Sequence, residues 1–151
     1  MILASKKPIV IDTNVCLDLF VFKDPRFVPI LAALESGETI AVTRAECRDE
    51  YLAVLKYPHL PLNDASRLEA IARFDALLLL VAPDAKHVRL PVCTDRDDQK
   101  FLELARDADA EVLVTKDKAL LKLARRTARE GLFKIMLPEA WLKARAAAAL
   151  E

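Results

Sequence analysis

Glycine is scarce in this sequence: only two of its 151 residues are glycine, Gly37 and Gly131. A phosphate-binding P-loop needs two glycines within one short motif, and a dinucleotide-binding turn needs the pattern G-x-G-x-x-G. Two isolated glycines can form neither motif. The sequence therefore argues against ATP-driven motors and NAD-dependent enzymes.

Cysteine is also sparse, and its three copies show no pairing pattern. Cys16, Cys47 and Cys93 are odd in number, and no two of them form a C-x-x-C pair. We expect neither a disulfide framework nor a zinc site, and these thiols fit a reducing cytoplasm. No apolar run reaches the roughly 18 residues of a transmembrane helix, so we expect no membrane partner.

Charge is balanced overall but uneven along the chain. The formal net charge is zero, so the whole molecule is not an obvious polyanion binder. Residues 94–111 nevertheless carry seven acids and three bases, whereas residues 116–151 carry nine bases and four acids. An acidic pocket beside a basic surface would suit a phosphate-backbone substrate held near metal ions. Such charge runs are also common on solvated helix faces.

Short apolar runs alternate with helical patterns through most of the chain. The predicted strands are PIVI at 8–11, TIAV at 39–42, EVLVT at 111–115 and FKIM at 133–136. Helical patterns cover 26–36, 44–57, 63–80, 97–108, 118–130 and 138–146. The strands are apolar at nearly every position, which is typical of a parallel sheet buried on both faces. We therefore predict an α/β fold, a three-layer α/β/α sandwich around a mainly parallel sheet of four to five strands.

The predicted domain is single and spans residues 1–146. The proline-punctuated stretch 81–93 predicts a loop with room for one short strand. The ending AAALE, residues 147–151, has the composition of a vector-derived tail, although it also fits the end of a native helix. We leave this tail out of the functional interpretation.

Carboxylates follow the predicted strands at the points where they end. Asp12 comes directly after the first strand, and Asp117 comes two residues after the strand that Thr115 closes. The second strand leads into a helix that carries Glu46 and Glu50. In an open α/β sheet, ligands bind beyond the carboxyl ends of the strands. We therefore expect these acids at one edge of the sheet.

Asp98 is a fourth candidate, because of its position on a helix. It stands three residues before Phe101 and seven before Ala105, which places it on the core-facing stripe. A lone buried charge is costly, and clustered carboxylates raise each other's pKa unless a cation neutralises them. Oxygen ligands suit Mg²⁺ or Mn²⁺, whereas zinc would normally recruit cysteine or histidine. The pattern predicts metal-dependent nuclease chemistry.

Each acid also has a simpler interpretation. Asp12 and Asp117 could serve only as helix N-caps, and acids 95–98 could be a solvated helix start that the macrodipole favours. Glu46 and Glu50 could be surface residues that pair with Arg44, Arg48 or Lys56. The common location of the acids at one sheet edge favours the functional interpretation.

Four motifs, in this order and spacing, resemble a PIN domain over nearly the full length of the chain. They are VIDTNV at 10–15, AECRDEYLAVL at 45–55, DRDDQKFLELA at 95–105 and VLVTKDKALL at 112–121. Similar proteins are metal-dependent ribonucleases, and many bacterial members resemble the toxin halves of toxin–antitoxin pairs. The resemblance thus implies a divalent-metal-dependent endoribonuclease that hydrolyses RNA phosphodiester bonds.

The resemblance also implies a role for individual residues. The four acids that would bind Mg²⁺ or Mn²⁺ and position the attacking water are Asp12, Glu50, Asp98 and Asp117. The polar residues that would orient them are Thr13, Asn14 and Thr115. Two points stay open. Glu46 lies one helical turn from Glu50 on the same face, so the two residues could exchange roles. Either Asp95 or Asp97 could be an additional outer ligand.

Partners follow from the same resemblance. RNA phosphates would contact Arg44, Arg48 and the cations of 116–129, whereas aromatic residues, at 6%, are too few for stacking to dominate recognition. Family members commonly dimerise, so a homo-oligomer is expected, and a cognate antitoxin would reach into the acidic pocket. Apolar stretches such as LLLL at 77–80 are compatible with an interface, although core packing explains such runs more often.

Two other functions compete with the nuclease. A strand ending in aspartate also fits an aspartate-nucleophile phosphatase, but such enzymes typically need a second aspartate two positions on, where this chain has Asn14. The other is a non-catalytic module that binds RNA or protein. An incomplete set of acids would favour that module, whereas the set is complete here.

Overall fold

The computed structural model describes residues 7–150. Within that range, five strands form one sheet: β1 (Ile9–Ile11), β2 (Ala41–Thr43), β3 (Leu78–Leu80), β4 (Val112–Val114) and β5 (Lys134–Met136). The α-helices are α1 (Thr13–Phe20), α2 (Val28–Ser36), α3 (Ala45–Val54), α4 (Asp64–Leu77), α5 (Gln99–Asp107), α6 (Lys118–Leu121), α7 (Ala124–Arg129) and α8 (Pro138–Ala149). Two short 3₁₀ turns cover Pro25–Phe27 and Arg96–Asp98.

The order of the strands fixes where a ligand site can form. The order is β3-β2-β1-β4-β5, and every neighbouring pair is parallel. From β1 the chain first builds outward through β2 and β3, and then crosses to β4 on the other side of β1. The carboxyl ends of β1 and β4 therefore flank the point where strand order reverses, the usual place for a ligand in such sheets.

Apolar residues fill both faces of this sheet. Ile9 and Ile11 of β1 face one core with Tyr51 of α3, whereas Val10 between them faces a second core with Leu104 of α5. This alternation is what a strand covered by helices on both faces requires. The predicted three-layer α/β/α sandwich with a parallel sheet is confirmed, and the sheet has five strands.

The stretch of four leucines at 77–80 was predicted wrongly. The helical pattern over 63–80 indicates one continuous helix, but α4 ends at Leu77 and Leu78–Leu80 form the edge strand β3. Leucine favours helix, and no glycine or proline marks the boundary, so a local stop signal is missing. Parallel pairing of Leu78–Leu80 with β2 decides the outcome.

Two further helices differ from the prediction. Residues 13–20 form α1 directly after β1, and the predicted helix 118–130 is divided into α6 and α7. The predicted loop 81–93 contains no helix or strand among its residues, all of which the structure describes. In the predicted tail, Ala147–Ala149 continue α8, and Glu151 lies outside the described residues. No helix within residues 7–150 is long and apolar enough to cross a membrane.

Candidate metal centre

A small open cavity of about 140 Å³ lies at the carboxyl edge of the sheet. Its lining contains six of the predicted site residues, together with Val54 and Phe101: Asp12, Thr13, Asn14, Glu50, Asp98 and Asp117. These residues come from four separate parts of the sequence. The topology of the parallel sheet brings them together.

Asp12 is fixed from two sides at the end of β1. Its Oδ1 accepts a hydrogen bond from the Val15 amide at 3.0 Å and so caps α1, and its Oδ2 accepts one from the Thr115 hydroxyl. The residue is only 4% exposed. Burial raises the pKa of Asp12 to about 6, against the lowering effect of these hydrogen bonds. Asp12 is therefore both a helix cap and a cavity acid, so the two interpretations are compatible.

Asp117 has the same double role at the end of β4. Its Oδ1 accepts the Ala119 amide at 2.8 Å and caps α6, while its own amide donates to Thr115 Oγ1 at 2.9 Å. Thr115 is fully buried. Its one hydroxyl donates to Asp12 and accepts from the Asp117 amide. The Thr115 hydroxyl thus joins the Asp12 carboxylate to the Asp117 backbone.

Asp98 provides the clearest sign of a missing partner. It closes the 3₁₀ turn before α5, and its Oδ2 is buried without a hydrogen-bond partner among residues 7–150. Burial raises the pKa of Asp98 to about 7, and the neighbouring carboxylate of Asp117 adds to the rise. Without a cation, this carboxyl is therefore only partly ionised near neutral pH.

Asp95 lies closer to Asp98 and Asp117 than the sequence indicates. One carboxylate oxygen from each of Asp95, Asp98 and Asp117 lies within 4.8 Å of the others. Asp95 is exposed and also accepts the Asp97 amide at 3.0 Å. Of the two acids that were open as outer ligands, the geometry favours Asp95.

Glu50 and Glu46 occupy different surroundings. Glu50 lines the cavity and accepts a hydrogen bond from Thr13 Oγ1, and the neighbouring Tyr51 anchors α3 in the core. Glu46 is outside the cavity, where its Oε2 lies 2.6 Å from Arg44 Nε. The geometry therefore places Glu50, and not Glu46, in the acidic cavity.

The two arginines predicted to bind RNA are already paired with carboxylates. Arg44 Nη2 lies 3.0 Å from Glu103 Oε1, and Arg44 Nη1 lies 3.4 Å from Asp107 Oδ2. Arg48 Nε lies 2.8 Å from Asp75 Oδ1. Neither arginine lines the acidic cavity. Contact with RNA therefore stays a prediction for both residues, and it requires them to exchange partners.

Lys100 contacts one of the cavity acids, and the sequence interpretation missed it. Its Nζ lies 2.9 Å from Glu50 Oε1 and also donates to the Asp97 carbonyl. The available signal was indirect: a lysine in the first turn of α5 opposes the helix macrodipole, which favours acids there. A cation at that position needs an anionic partner, and Glu50 of the distant helix α3 provides one.

The donor set fits a hard divalent cation. The cavity presents carboxylate and hydroxyl oxygens, which Mg²⁺ and Mn²⁺ prefer. The Asp98 oxygen is buried without a partner, and burial raises the pKa values of Asp12 and Asp98, so ionised carboxylates here lack a compensating charge. A divalent ion would supply it.

The fold and this acidic centre together define a class of protein. A parallel α/β/α domain that gathers carboxylates for a divalent ion where strand order reverses has the layout of a metal-dependent hydrolase. The family model described as PIN domain matches residues 8–119, which include β1 to β4 and all predicted site residues. The chain belongs to the PIN domain family, whose members are generally metal-dependent nucleases. A comparison with curated proteins found no match.

Proposed function

We propose that this protein is a divalent-metal-dependent endoribonuclease that hydrolyses RNA phosphodiester bonds. The ligands in this proposal are Asp12, Glu50, Asp98 and Asp117, with Mg²⁺ or Mn²⁺ as the ion. The observation that carries it is the partnerless buried oxygen of Asp98 beside Asp117, in a cavity that Asp12 and Glu50 also line. An acid set without a metal role would not be expected to leave such an oxygen unsatisfied.

Each polar residue then has a specific task. A bound divalent ion would polarise a phosphate oxygen and lower the pKa of an attacking water. Thr115 holds Asp12 through a hydrogen bond, and Thr13 holds Glu50 in the same way. Asn14 lines the cavity from its exposed rim, where it can contact the substrate. Asp98 must release its proton before it can act as a ligand.

RNA is the proposed substrate because the cations near the cavity suit a phosphate backbone. Lys118 directly follows Asp117 and is exposed, and the segment 116–129 supplies further basic residues. Arg44 and Arg48 extend this set if they exchange their carboxylate partners for phosphates. Phe101 is the one aromatic residue among those lining the cavity, and it is 2% exposed, so backbone contacts rather than stacking dominate the proposal.

The biological setting belongs to the same proposal. We infer that the protein is the toxin component of a toxin–antitoxin system, that a cognate antitoxin is its protein partner, and that it forms a homodimer. A cytoplasmic location is in keeping with its three free cysteines. Exposed Leu79 and Leu80 on the edge strand β3 support the dimer. Residues 1–146 form the proposed nuclease domain, and strands from Ile9 to Met136 share one sheet.

The test is cleavage of a fluorescent single-stranded RNA by wild type and by Asp12→Asn. We expect Mn²⁺- or Mg²⁺-dependent cleavage by wild type, loss of cleavage with chelator, and little or none by Asp12→Asn. Asp84→Asn, which changes an exposed acid outside the cavity, is the matched control and should cut like wild type. No cleavage by folded wild type with either ion would contradict the proposal.

The same samples separate the alternatives. A small phosphomonoester substrate would report an aspartate-nucleophile phosphatase, but both Asp12 oxygens already accept hydrogen bonds, which disfavours attack by either of them. Tight RNA or protein binding without any cleavage would report a non-catalytic module.

A further inference from the structure

Lys100 is mostly buried and pairs with an acid of the cavity. Its side chain is 19% exposed, and its ammonium lies 2.9 Å from Glu50 Oε1 at the edge of the acidic cavity. It also lies 5.4 Å from the ring centroid of Phe101, which lines the same cavity. The charge is thus held beside the acidic centre.

The contact with Glu50 conflicts with metal loading of the site. The other Glu50 oxygen accepts a hydrogen bond from the neutral Thr13 hydroxyl, so Lys100 supplies the positive charge that Glu50 contacts. If Glu50 binds a divalent ion, that ion and the ammonium compete for one carboxylate. A bound divalent ion would also neutralise the carboxylate charge that attracts Lys100, and it would repel the ammonium.

A displaced ammonium would need a new anion. Lysine has three N–H donors, and the described residues accept two of them, at Glu50 and at the Asp97 carbonyl. A phosphate group of an RNA substrate at the cavity mouth would provide such an anion. A flexible four-carbon stem lets a lysine reach such a group as a point charge.

We propose that Lys100 is a phosphate-binding residue that Glu50 holds in the metal-free protein and that metal binding releases toward the RNA. This inference rests on the proposed ribonuclease function and deepens it, because it makes RNA binding depend on prior metal binding. The site thereby favours metal first and RNA second.

The test compares Lys100→Met with wild type in two separate measurements. The first is Mn²⁺ affinity by calorimetry without RNA, where loss of a competing cation should tighten binding by roughly three- to tenfold. The second is RNA cleavage at saturating Mn²⁺, where KM should rise at least about tenfold because a phosphate contact is lost. A merely structural lysine would not tighten metal binding and weaken RNA binding at once.

Further variants guard against misfolding and general charge effects. Lys100→Gln is a second neutral variant, and it should behave like Lys100→Met if that variant folds poorly. Lys100→Arg keeps the charge, and should keep both the Mn²⁺ affinity and most of the RNA affinity. Lys143→Met removes an exposed lysine of α8 that does not line the cavity, and should change neither.

The possible failures are distinguishable. If wild type binds Mn²⁺ and cuts RNA but the neutral variants show unchanged or weaker Mn²⁺ binding, or an unchanged KM, the Lys100 proposal alone is wrong. If folded wild type does not bind Mn²⁺, the ribonuclease proposal and the Lys100 proposal both fail.

Discussion

Asp12→Asn is expected to stabilise the metal-free protein while abolishing its activity. Asp12 is 4% exposed, and burial raises its pKa from 3.8 to about 6. Folding therefore costs free energy whenever Asp12 is ionised and no cation is bound. Asparagine removes that charge and retains an oxygen that can accept the hydrogen bond from the Val15 amide.

The size of the effect follows from the pKa difference. A rise of about two units corresponds to about 3 kcal/mol at pH values above the folded-state pKa. Replacement also disturbs the hydrogen bond from Thr115, which costs about 1 kcal/mol of that gain. For a chain of this length, we expect the melting temperature to rise by roughly 4–8 °C at pH 8.

The pH dependence has a definite sign. A raised carboxyl pKa means that the folded protein binds the proton more tightly than the unfolded chain does. The stabilising contribution is fully present below the unfolded pKa of 3.8 and is lost as pH rises through about 6. The advantage of Asp12→Asn should therefore be largest at pH 8, smaller at pH 5, and absent near pH 4.

Thermal unfolding in chelator at these three pH values is the assay. Asp84→Asn is the control, and its exposed side chain should give no such gradient. Saturating Mn²⁺ should raise the melting temperature of wild type but not that of Asp12→Asn. The reasoning would be refuted if Asp12→Asn were less stable than wild type at pH 8. It would also be refuted if the difference in melting temperature between the two proteins were the same at all three pH values.

Three other predictions concern the same centre. Thr115→Val removes the hydroxyl between Asp12 and the Asp117 amide, and should cost about 1–3 kcal/mol in urea unfolding; an unchanged midpoint would contradict this role. Mn²⁺ binding should release protons near pH 7, because the pKa of Asp98 is raised to about 7. Calorimetry in buffers of different ionisation enthalpy measures this release, and a binding enthalpy that does not depend on the buffer would contradict it. Glu50→Gln should weaken Mn²⁺ binding at least about tenfold, whereas Glu46→Gln should leave Mn²⁺ affinity unchanged. Equal losses of affinity in the two variants would contradict the placement of Glu50 in the site.

The sheet edge and its acids were predictable because two strong local signals coincide there. β1 and β4 are continuous apolar runs, and each is followed closely by an aspartate that caps the next helix. Parallel pairing then forces Asp12 and Asp117 to the same edge. The spacing of Asp98 from Phe101 predicted that both lie on the same side of α5, and both line the cavity.

Features that depend on distant pairing were not predictable. Leu78–Leu80 become a strand because β2 offers an unpaired edge, which no local pattern of leucines can signal. Arg44 meets Glu103 and Asp107 only after α3 and α5 pack together. Lys100 meets Glu50 from fifty positions away for the same reason.

Crystals grown in the presence of Mn²⁺ give the most direct test of the central claim, since manganese has an anomalous signal that locates it independently of the refined model. We predict an anomalous peak in the cavity, bound by carboxylate oxygens that include Asp12, Asp98 and Asp117. A fully loaded crystal with no peak there, or with manganese bound only elsewhere, would contradict the assignment of this centre.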